Sequence, residues 1–403
     1  MRLKALGRIA PLLVVMALLA VACGDDGDGN GGSGSGDGED KDCTWVIGTM
    51  GALSGDYATL GKPISEGVEY AVNEANETGD LACELSLQQE DSQGSPDQAP
   101  ALAQSLVINE ELVACVCPYF SGETIAVGDT FAEAGVLMSG TGTNDTIDEK
   151  EFDTWFRSVA SDGVQGPVAA QYIAEVLQPQ TVAVVHDGQD YSKGLADSVL
   201  EELGDTAEGP FIINPEETDY STVIADVKQV NPDVVYYGGY NPQAPTLLRQ
   251  LREAGVEAQF FSDDGAKDPS FGETLGDLAE GALVTCPCVD PNQIDGAASF
   301  VEGMRAEYGE NAPGTFSADM YDVTTFVIDA LAELDGSEPI EDVRASVVSH
   351  FDEAEGLEGI SKTYTWSDVG EFEAEPLRDI WIYEWSNKDK NFVALGPAQD
   401  LMP

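Results

Sequence analysis

The run Leu112-Val113-Ala114-Cys115-Val116-Cys117 is followed by Ser121-Gly122-Glu123-Thr124 and then by a helical pattern carrying Ile125, Phe131 and Ala134. Val136-Leu137-Met138 comes next, and the stretch closes on Ser139-Gly140-Thr141-Gly142-Thr143-Asn144. Each apolar run is short enough for a buried strand, so residues 112–144 read as strand, helix, strand. A helix between two strands makes a parallel pair. Both strand ends then open into hydroxyl- and glycine-rich turns on one edge of the sheet. There helix N-termini present free N–H groups and ligands bind. No Lys or Arg occurs from Leu112 to Asn144, which favours one carboxylate over a polyphosphate. Ser121 and Thr143 also suit a plainer role as helix caps. The stretch alone leaves both open.

The same rhythm extends outward. Upstream, Trp45-Val46-Ile47 and Leu85-Ser86-Leu87 read as strands. Between them, Ile64 to Glu77 sets Val68, Ala71, Val72 and Ala75 on one face, and Ala99 to Ile108 repeats this with Leu102, Leu106 and Val107. Downstream, Trp155 to Val159 reads as a strand. Asp162 caps a helix to Leu177, with Gln165 as its capping-box partner. A second series starts at Val182-Ala183-Val184-Val185. Its further strands are Phe211-Ile212-Ile213, Val234-Val235-Tyr236-Tyr237, Gln259-Phe260-Phe261 and Ala282-Leu283-Val284. Helices fill the gaps at Gly194–Leu203, Ser221–Val230 and Ala244–Ala254, and two more follow at Ala297–Tyr308 and Ser317–Leu334. The chain ends in a hairpin-like pair, Thr363–Trp366 with Ile380–Tyr383. This alternation denotes an α/β chain with parallel sheets, and two series of similar rhythm denote two similar lobes.

Composition narrows the function. The 403 residues suffice for two domains with a substantial core. The formal charge of −56, from 74 acidic and 18 basic residues, argues against nucleic acid, because phosphate binding needs clustered Lys and Arg. It is the charge of a solvated surface that favours solubility. Arg2, Lys4 and Arg8 precede an apolar run from Ile9 to Leu19, so residues 1–22 read as an export signal. That run is too short for a comfortable membrane span. Leu19-Ala20-Val21-Ala22-Cys23 resembles the lipobox of bacterial lipoproteins, in which the Cys is lipidated, with Ala20 where that pattern prefers Leu. Residues 23–42, rich in Gly, Asp and Ser, then read as a flexible tether with an r.m.s. reach of about 25 Å.

Six further cysteines in an exported chain imply disulfides. Cys43 and Cys83 each precede a strand and suit one another if those strands are neighbours. Cys115/Cys117 and Cys286/Cys288 form two Cys-x-Cys pairs whose pairing the sequence leaves open. A four-thiolate zinc site is disfavoured, since such ligands are usually spaced by about two to four residues.

Catalytic motifs are absent. His186 and His350 lie in no metal motif, and there is no G-x-S-x-G elbow, Walker loop or dinucleotide fingerprint. The pattern is that of a binder without metal or cofactor. Tyr191, Tyr240 and Asp264 each follow a strand of the second series. A carboxylate there, facing neutral hydroxyl turns in the first lobe, suits a ligand with separated positive and negative ends. Singly, Asp264 also fits an ordinary turn residue beside Gly265, and the two tyrosines fit surface aromatics.

Several segments together resemble the leucine/isoleucine/valine-binding proteins, the solute receptors of branched-chain amino acid ABC transporters. They are Gly51-Ala52-Leu53-Ser54-Gly55, the 139–144 turn, Arg157-Ser158-Val159-Ala160-Ser161-Asp162, His186-Asp187-Gly188-Gln189-Asp190-Tyr191, Val235–Tyr240 and Ala279-Glu280-Gly281-Ala282-Leu283-Val284-Thr285. The resemblance implies the type I periplasmic binding protein fold, with two Rossmann-like α/β lobes of parallel sheet joined by a three-segment hinge. Lobe 1 would comprise 43–161 plus 287–377, lobe 2 162–286 plus 378–403, with crossovers near Ser161, Pro287 and Arg378. By the same resemblance Ser121 and Thr143, with the Thr141–Gly142–Thr143 backbone, hold a ligand carboxylate. Asp264 holds the ammonium, where the family usually has Glu. Tyr191, Tyr240, Leu60 and Phe316 match pocket positions, and Phe120 joins them where some relatives carry a disulfide cysteine. The implied protein is a monomer, exported and lipid-anchored through Cys23 on the outer face of the cytoplasmic membrane. It would deliver an amino acid to a membrane permease.

Overall fold

The computed structural model describes residue 41 and residues 43–403. The export signal, Cys23 and all of the tether but residue 41 lie outside the described residues. No described helix is long and apolar enough to cross a membrane.

The first lobe is built on a five-stranded sheet of β1 (Thr44–Gly51), β2 (Glu84–Asp91), β3 (Leu112–Cys115), β4 (Leu137–Gly140) and β5 (Trp155–Arg157). The strands are parallel in the order β2-β1-β3-β4-β5. Helices α1 (Ala58–Thr78), α2 (Ala99–Val107) and α3 (Ser121–Glu133) make the connections. Every residue of β3 and β4 is buried; a parallel strand covered on both faces reads as a continuous apolar run for that reason. In α1 the buried positions Leu60, Ile64, Val68, Ala71 and Val72 recur at helical spacing, and Gly79 ends the helix at φ 71°.

Helix α4 (Asp162–Tyr172) leads into the second lobe, where β6 (Val182–His186), β7 (Ala207–Ile212), β8 (Val234–Gly238), β9 (Gln259–Ser262) and β10 (Leu283–Cys286) are parallel. Their helices are α5 (Asp190–Leu203), α6 (Ser221–Val230), α7 (Gln243–Glu253) and α8 (Ser270–Leu275). The chain then returns to the first lobe. Helix α9 (Ala298–Tyr308) and helix α10 (Ser317–Ala332) pack on α1, and α11 (Ile340–Asp352) packs on β3. Arg344 of α11 donates to the Leu112 carbonyl at 2.8 Å. The α1–α10 crossing is so close that a Cβ on Gly67 would lie 2.2 Å from the Ser317 carbonyl oxygen. A small hairpin, β11 (Glu355–Glu358) with β12 (Thr363–Thr365), precedes β13 (Trp381–Ser386) and β14 (Asn391–Pro397), which extend the second sheet to the order β14-β13-β10-β9-β8-β6-β7. The chain thus passes between the sheets after β5, after β10 and after β12.

Four expectations are corrected. First, β3 stops at Cys115, two residues early; the Cys115–Cys117 disulfide draws its Cα atoms to 5.1 Å, and Pro118 carries no amide hydrogen for a ladder. Second, the expected terminal hairpin does not form. β12 pairs with β11, while β13 lies antiparallel to both β10 and β14. Third, Ser161 rather than Asp162 is the N-cap of α4, and the Gln165 side chain turns away from the cap. Fourth, α1 and α5 begin at Ala58 and Asp190 rather than at Ile64 and Gly194, and the buried Leu60 and Tyr191 carry each apolar face back into the first turn. Helix α11 and strand β14 had no counterpart in the sequence reading.

The cysteine pairing that the sequence left open is resolved. Cys43 bonds Cys83 across the neighbouring starts of β1 and β2. Cys115 bonds Cys117, and Cys286 bonds Cys288, so neither Cys-x-Cys pair bridges to the other. The physical reason is local: the chain turns at the end of β10 and brings the Cys286 and Cys288 Cα atoms to 5.0 Å, within bridging range. Cys288 lies past the end of β10 and is buried, and its carbonyl accepts from the Tyr383 hydroxyl of β13 at 2.9 Å. It is thereby fastened to the second sheet at the point where the chain leaves it.

Candidate functional site

The two turns of the opening stretch meet. Ser121 begins α3 but does not cap it, since the N-cap is Phe120. Its Oγ instead accepts the backbone N–H groups of Thr143 at 3.1 Å and Asn144 at 3.2 Å. With both lone-pair directions used, the Ser121 hydroxyl retains one O–H donor. Thr143 caps no helix either; Asn144 and Ser161 occupy the two nearest N-cap positions. The capping alternative is therefore wrong for both hydroxyls. Thr141 Oγ1 donates to the Tyr119 carbonyl at 2.7 Å, so its backbone rather than its hydroxyl is left to serve a ligand. Gly140 permits the approach of the two turns, because a Cβ there would sit 1.9 Å from the Pro118 carbonyl oxygen.

Behind this loop lies Arg157, with no exposed surface. Its guanidinium donates to the carbonyls of Gly142 and Asn144 and pairs with Asp148 and Glu371. Burial would lower its pKa, but Glu371 and Asp148 hold it above the ordinary value.

The second lobe presents acid. Asp264 Oδ1 accepts from Gln165 Nε2 at 2.8 Å and from the Tyr191 hydroxyl at 2.9 Å. Burial raises the Asp264 pKa against the opposing pull of those two bonds and of Lys267. The adjacent Asp263 is structural: it accepts from Gly239 N at 2.9 Å and Gly265 N at 3.1 Å. Asp162 is fully buried, and neither carboxylate oxygen has a hydrogen-bond partner among the described residues. Its pKa is raised well above the usual range by burial and by the nearby charges of Asp145 and Asp264. One turn of α4 links the two edges: Asp162 N donates to the Thr143 carbonyl at 2.8 Å, and Gln165 reaches Asp264.

Between the lobes, Tyr57, Phe120, Tyr191 and Tyr240 form an aromatic cluster, with Tyr57–Tyr240 centroids at 5.4 Å, Phe120–Tyr240 at 5.5 Å and Tyr191–Tyr240 at 4.9 Å. They line a cavity of about 230 Å³ together with Gly94, Pro96, Gly122, Gly188, Gln189 and Asp190. The lobes touch through Asn144 Nδ2 and the Asp190 carbonyl at 2.7 Å, through Gln189 Nε2 and the Tyr57 hydroxyl at 3.2 Å, and through Lys267 Nζ and Thr315 Oγ1 at 3.3 Å.

Of the residues singled out from sequence, Phe120, Tyr191 and Tyr240 line this cavity. The two tyrosines are 3% and 7% exposed, so the surface-aromatic reading fails. Ser121, Thr141, Gly142, Thr143 and Asp264 are buried and do not line this cavity; the first four belong to the hydrogen-bonded loop of the first lobe, and Asp264 bonds Gln165 and Tyr191. Leu60 and Phe316 are buried in the core and do not line the cavity. The disulfide cysteines, Cys286 and Cys288 among them, do not line it either. Tyr57, Gln189, Asn144, Gln165, Asp162 and Arg157 were missed as site residues. Tyr57 was accessible by the criterion that found Tyr191, since it follows the carboxyl end of the first strand. The others act through contacts distant in sequence.

Known proteins share this architecture. Residues 44–390 match the family described as periplasmic binding protein. The Leu/Ile/Val-binding protein of Escherichia coli K12 is 30% identical over 344 residues, covering 84% of this chain and 90% of its own. An amino acid binding protein of Pseudomonas aeruginosa is 29% identical over 354 residues, covering 86% and 91%. Among solved structures, the branched-chain amino acid transporter substrate binding protein LivJ from Streptococcus pneumoniae, in complex with isoleucine, superposes with a TM-score of 0.78. It is 22% identical, covering 87% of this chain and 98% of that one.

Proposed function

The chain belongs to the periplasmic binding protein family, a family of solute receptors rather than enzymes, and on that premise we propose that it captures an amino acid by hinge closure and delivers it to an ABC permease. The ligand carboxylate is held by the Ser121 hydroxyl, Thr143 and the backbone of Thr141 to Thr143, and the ammonium by Asp264. The aromatic wall of Tyr57, Phe120, Tyr191 and Tyr240, together with Leu60 and Phe316, takes an apolar side chain, branched ones foremost. Lobe 1 comprises 43–161 plus 287–377 and lobe 2 comprises 162–286 plus 378–403, hinged near Ser161, Pro287 and Arg378. The protein works as a monomer, exported and anchored through a lipid on Cys23; Cys23→Ser should release it from membranes, and retention would refute the anchor.

What supports the ligand class is the pairing of unlike edges: the spare Ser121 O–H with its loop on one lobe, linked by one turn of α4 to the buried Asp264 carboxylate on the other. No Lys or Arg is needed for a single carboxylate, because N–H dipoles and a hydroxyl suffice. Calorimetric titration with the twenty amino acids, their amides and short acids tests the proposal. Saturable binding of a branched-chain amino acid is expected; heat from amides or acids alone would overturn it.

A further inference from the structure

We infer that Arg157 is the positioning residue for the carboxylate-binding loop, setting which way its amides point without touching the ligand. The inference rests on the amino-acid reading above.

In a trans peptide the C=O and the following N–H point in opposite directions. Fixing the Gly142 carbonyl on Arg157 therefore turns the Thr143 N–H the other way, onto Ser121 Oγ at 3.1 Å. The Asn144 carbonyl is held by the same guanidinium at 3.4 Å. The loop is thus gripped from behind by Arg157 and in front by Ser121, and the remaining Ser121 O–H is directed by the two amides it accepts. Nε donates to Glu371 at 2.6 Å, and Nη2 also serves Asp148. With four of its five N–H groups given to these partners, two of them carboxylates, and its side chain fully buried, Arg157 does not act as a cation for the ligand. A planar fork with five N–H groups reaches all four partners; an ammonium on a flexible stem does not.

The grip extends to a remote segment. Arg157 N donates to the Gly370 carbonyl at 2.8 Å, and Trp366 Nε1 donates to the Arg157 carbonyl at 2.7 Å. A Cβ on Gly370 would lie 1.7 Å from the Trp155 carbonyl oxygen, so the 367–371 turn is seated tightly against β5. This turn lies just before the chain passes to β13. Arg157 therefore ties the ligand loop to a segment 214 residues further on, through Glu371.

The test uses the full protein with Arg157→Lys and, as the milder variant, Glu371→Gln, which retains an oxygen acceptor. Two readouts separate positioning from general damage. Affinity is measured for L-leucine and for L-leucinol, which lacks the carboxylate; amide exchange of Thr143 and Asn144 is measured without ligand. Arg157→Lys is expected to weaken leucine by about tenfold or more and leucinol by less than about threefold. The two loop amides should exchange about tenfold faster while β1 amides are unchanged. Glu371→Gln should show the same pattern at roughly threefold, and it decides the matter if Arg157→Lys fails to fold. Equal loss of both ligands, or unchanged exchange at Thr143 and Asn144, overturns the inference. Failure of the parent to bind leucine would instead count against the amino-acid reading, with the exchange measurement still deciding the role of Arg157.

Discussion

The 141–144 turn of the first lobe and the 263–265 turn of the second each lie at the carboxyl end of a parallel strand, and the first turn of α4 links them. The first offers N–H dipoles and the Ser121 hydroxyl, and Arg157 behind it is spent on carbonyls and on Asp148 and Glu371. The second offers a carboxylate whose charge burial opposes. A neutral clamp tolerates an empty site, because the Thr143 and Asn144 N–H groups already have an acceptor in Ser121 Oγ. An acidic clamp does not, and it gains most when an ammonium arrives. Most of the binding energy should therefore come from the second lobe and most of the geometric definition from the first.

The largest effect is expected from Asp264→Ala, which leaves the ligand ammonium buried and unpaired. Breaking such a pair costs about 3–5 kcal/mol, a hundredfold or more in leucine affinity by calorimetry. Unchanged affinity would remove Asp264 from the site. Ser121→Ala should cost less, about 1.5–3 kcal/mol for one bond to a charged group. If it costs as much as Asp264→Ala, the asymmetry between the lobes is wrong. Tyr57→Ala, which removes a wall residue and its contact with Gln189, should weaken leucine more than alanine, measured side by side. Equal weakening would place Tyr57 outside the side-chain pocket.

Acidity sharpens the same comparison. Asp264 must be ionised to hold an ammonium, and its pKa in the free protein is raised. Leucine affinity should therefore fall as pH is lowered through that raised value, well above about 3.9 where an ordinary Asp loses its charge. The neutral clamp contributes no such dependence. Asp162 gives the converse in stability. Its folded pKa lies above its unfolded one, so the stability it contributes is fully present below the unfolded value and lost as pH rises through the folded one. Asp162→Asn should thus raise the melting temperature at pH 8, by relief on the order of 1–3 kcal/mol, with the gain shrinking toward pH 4. A constant gain across that range would contradict the assignment.

The second lobe was the easier to read in sequence. Val234–Tyr237 and Phe260–Phe261 are buried runs, so local composition marks them, and Tyr240 and Asp264 follow at their ends. Ser121 and Thr143 were visible as turn residues, but that they bond one another depends on β3 and β4 being neighbours. The partner of Cys288 was illegible for a similar reason, since whether it bonds Cys286 or a cysteine of the other lobe depends on how the chain turns after β10. Helix α11 was missed although it buries Val343, Val347 and Phe351 at helical spacing, and β14 because Val393 and Leu395 are exposed on a sheet edge. Arg157 read as part of a strand and of a family-like segment, with no role of its own. Its partners Asp148, Gly142 and Glu371 come from three segments, and no periodicity records such a convergence.

Titration of the free protein with L-leucine, L-leucinol and 4-methylpentanoate most directly tests the claim that unlike edges hold a two-ended ligand. Saturable leucine binding is predicted, with a loss of about tenfold or more on removing either end, larger for the missing ammonium. Binding of either one-ended analogue as tightly as leucine would contradict it.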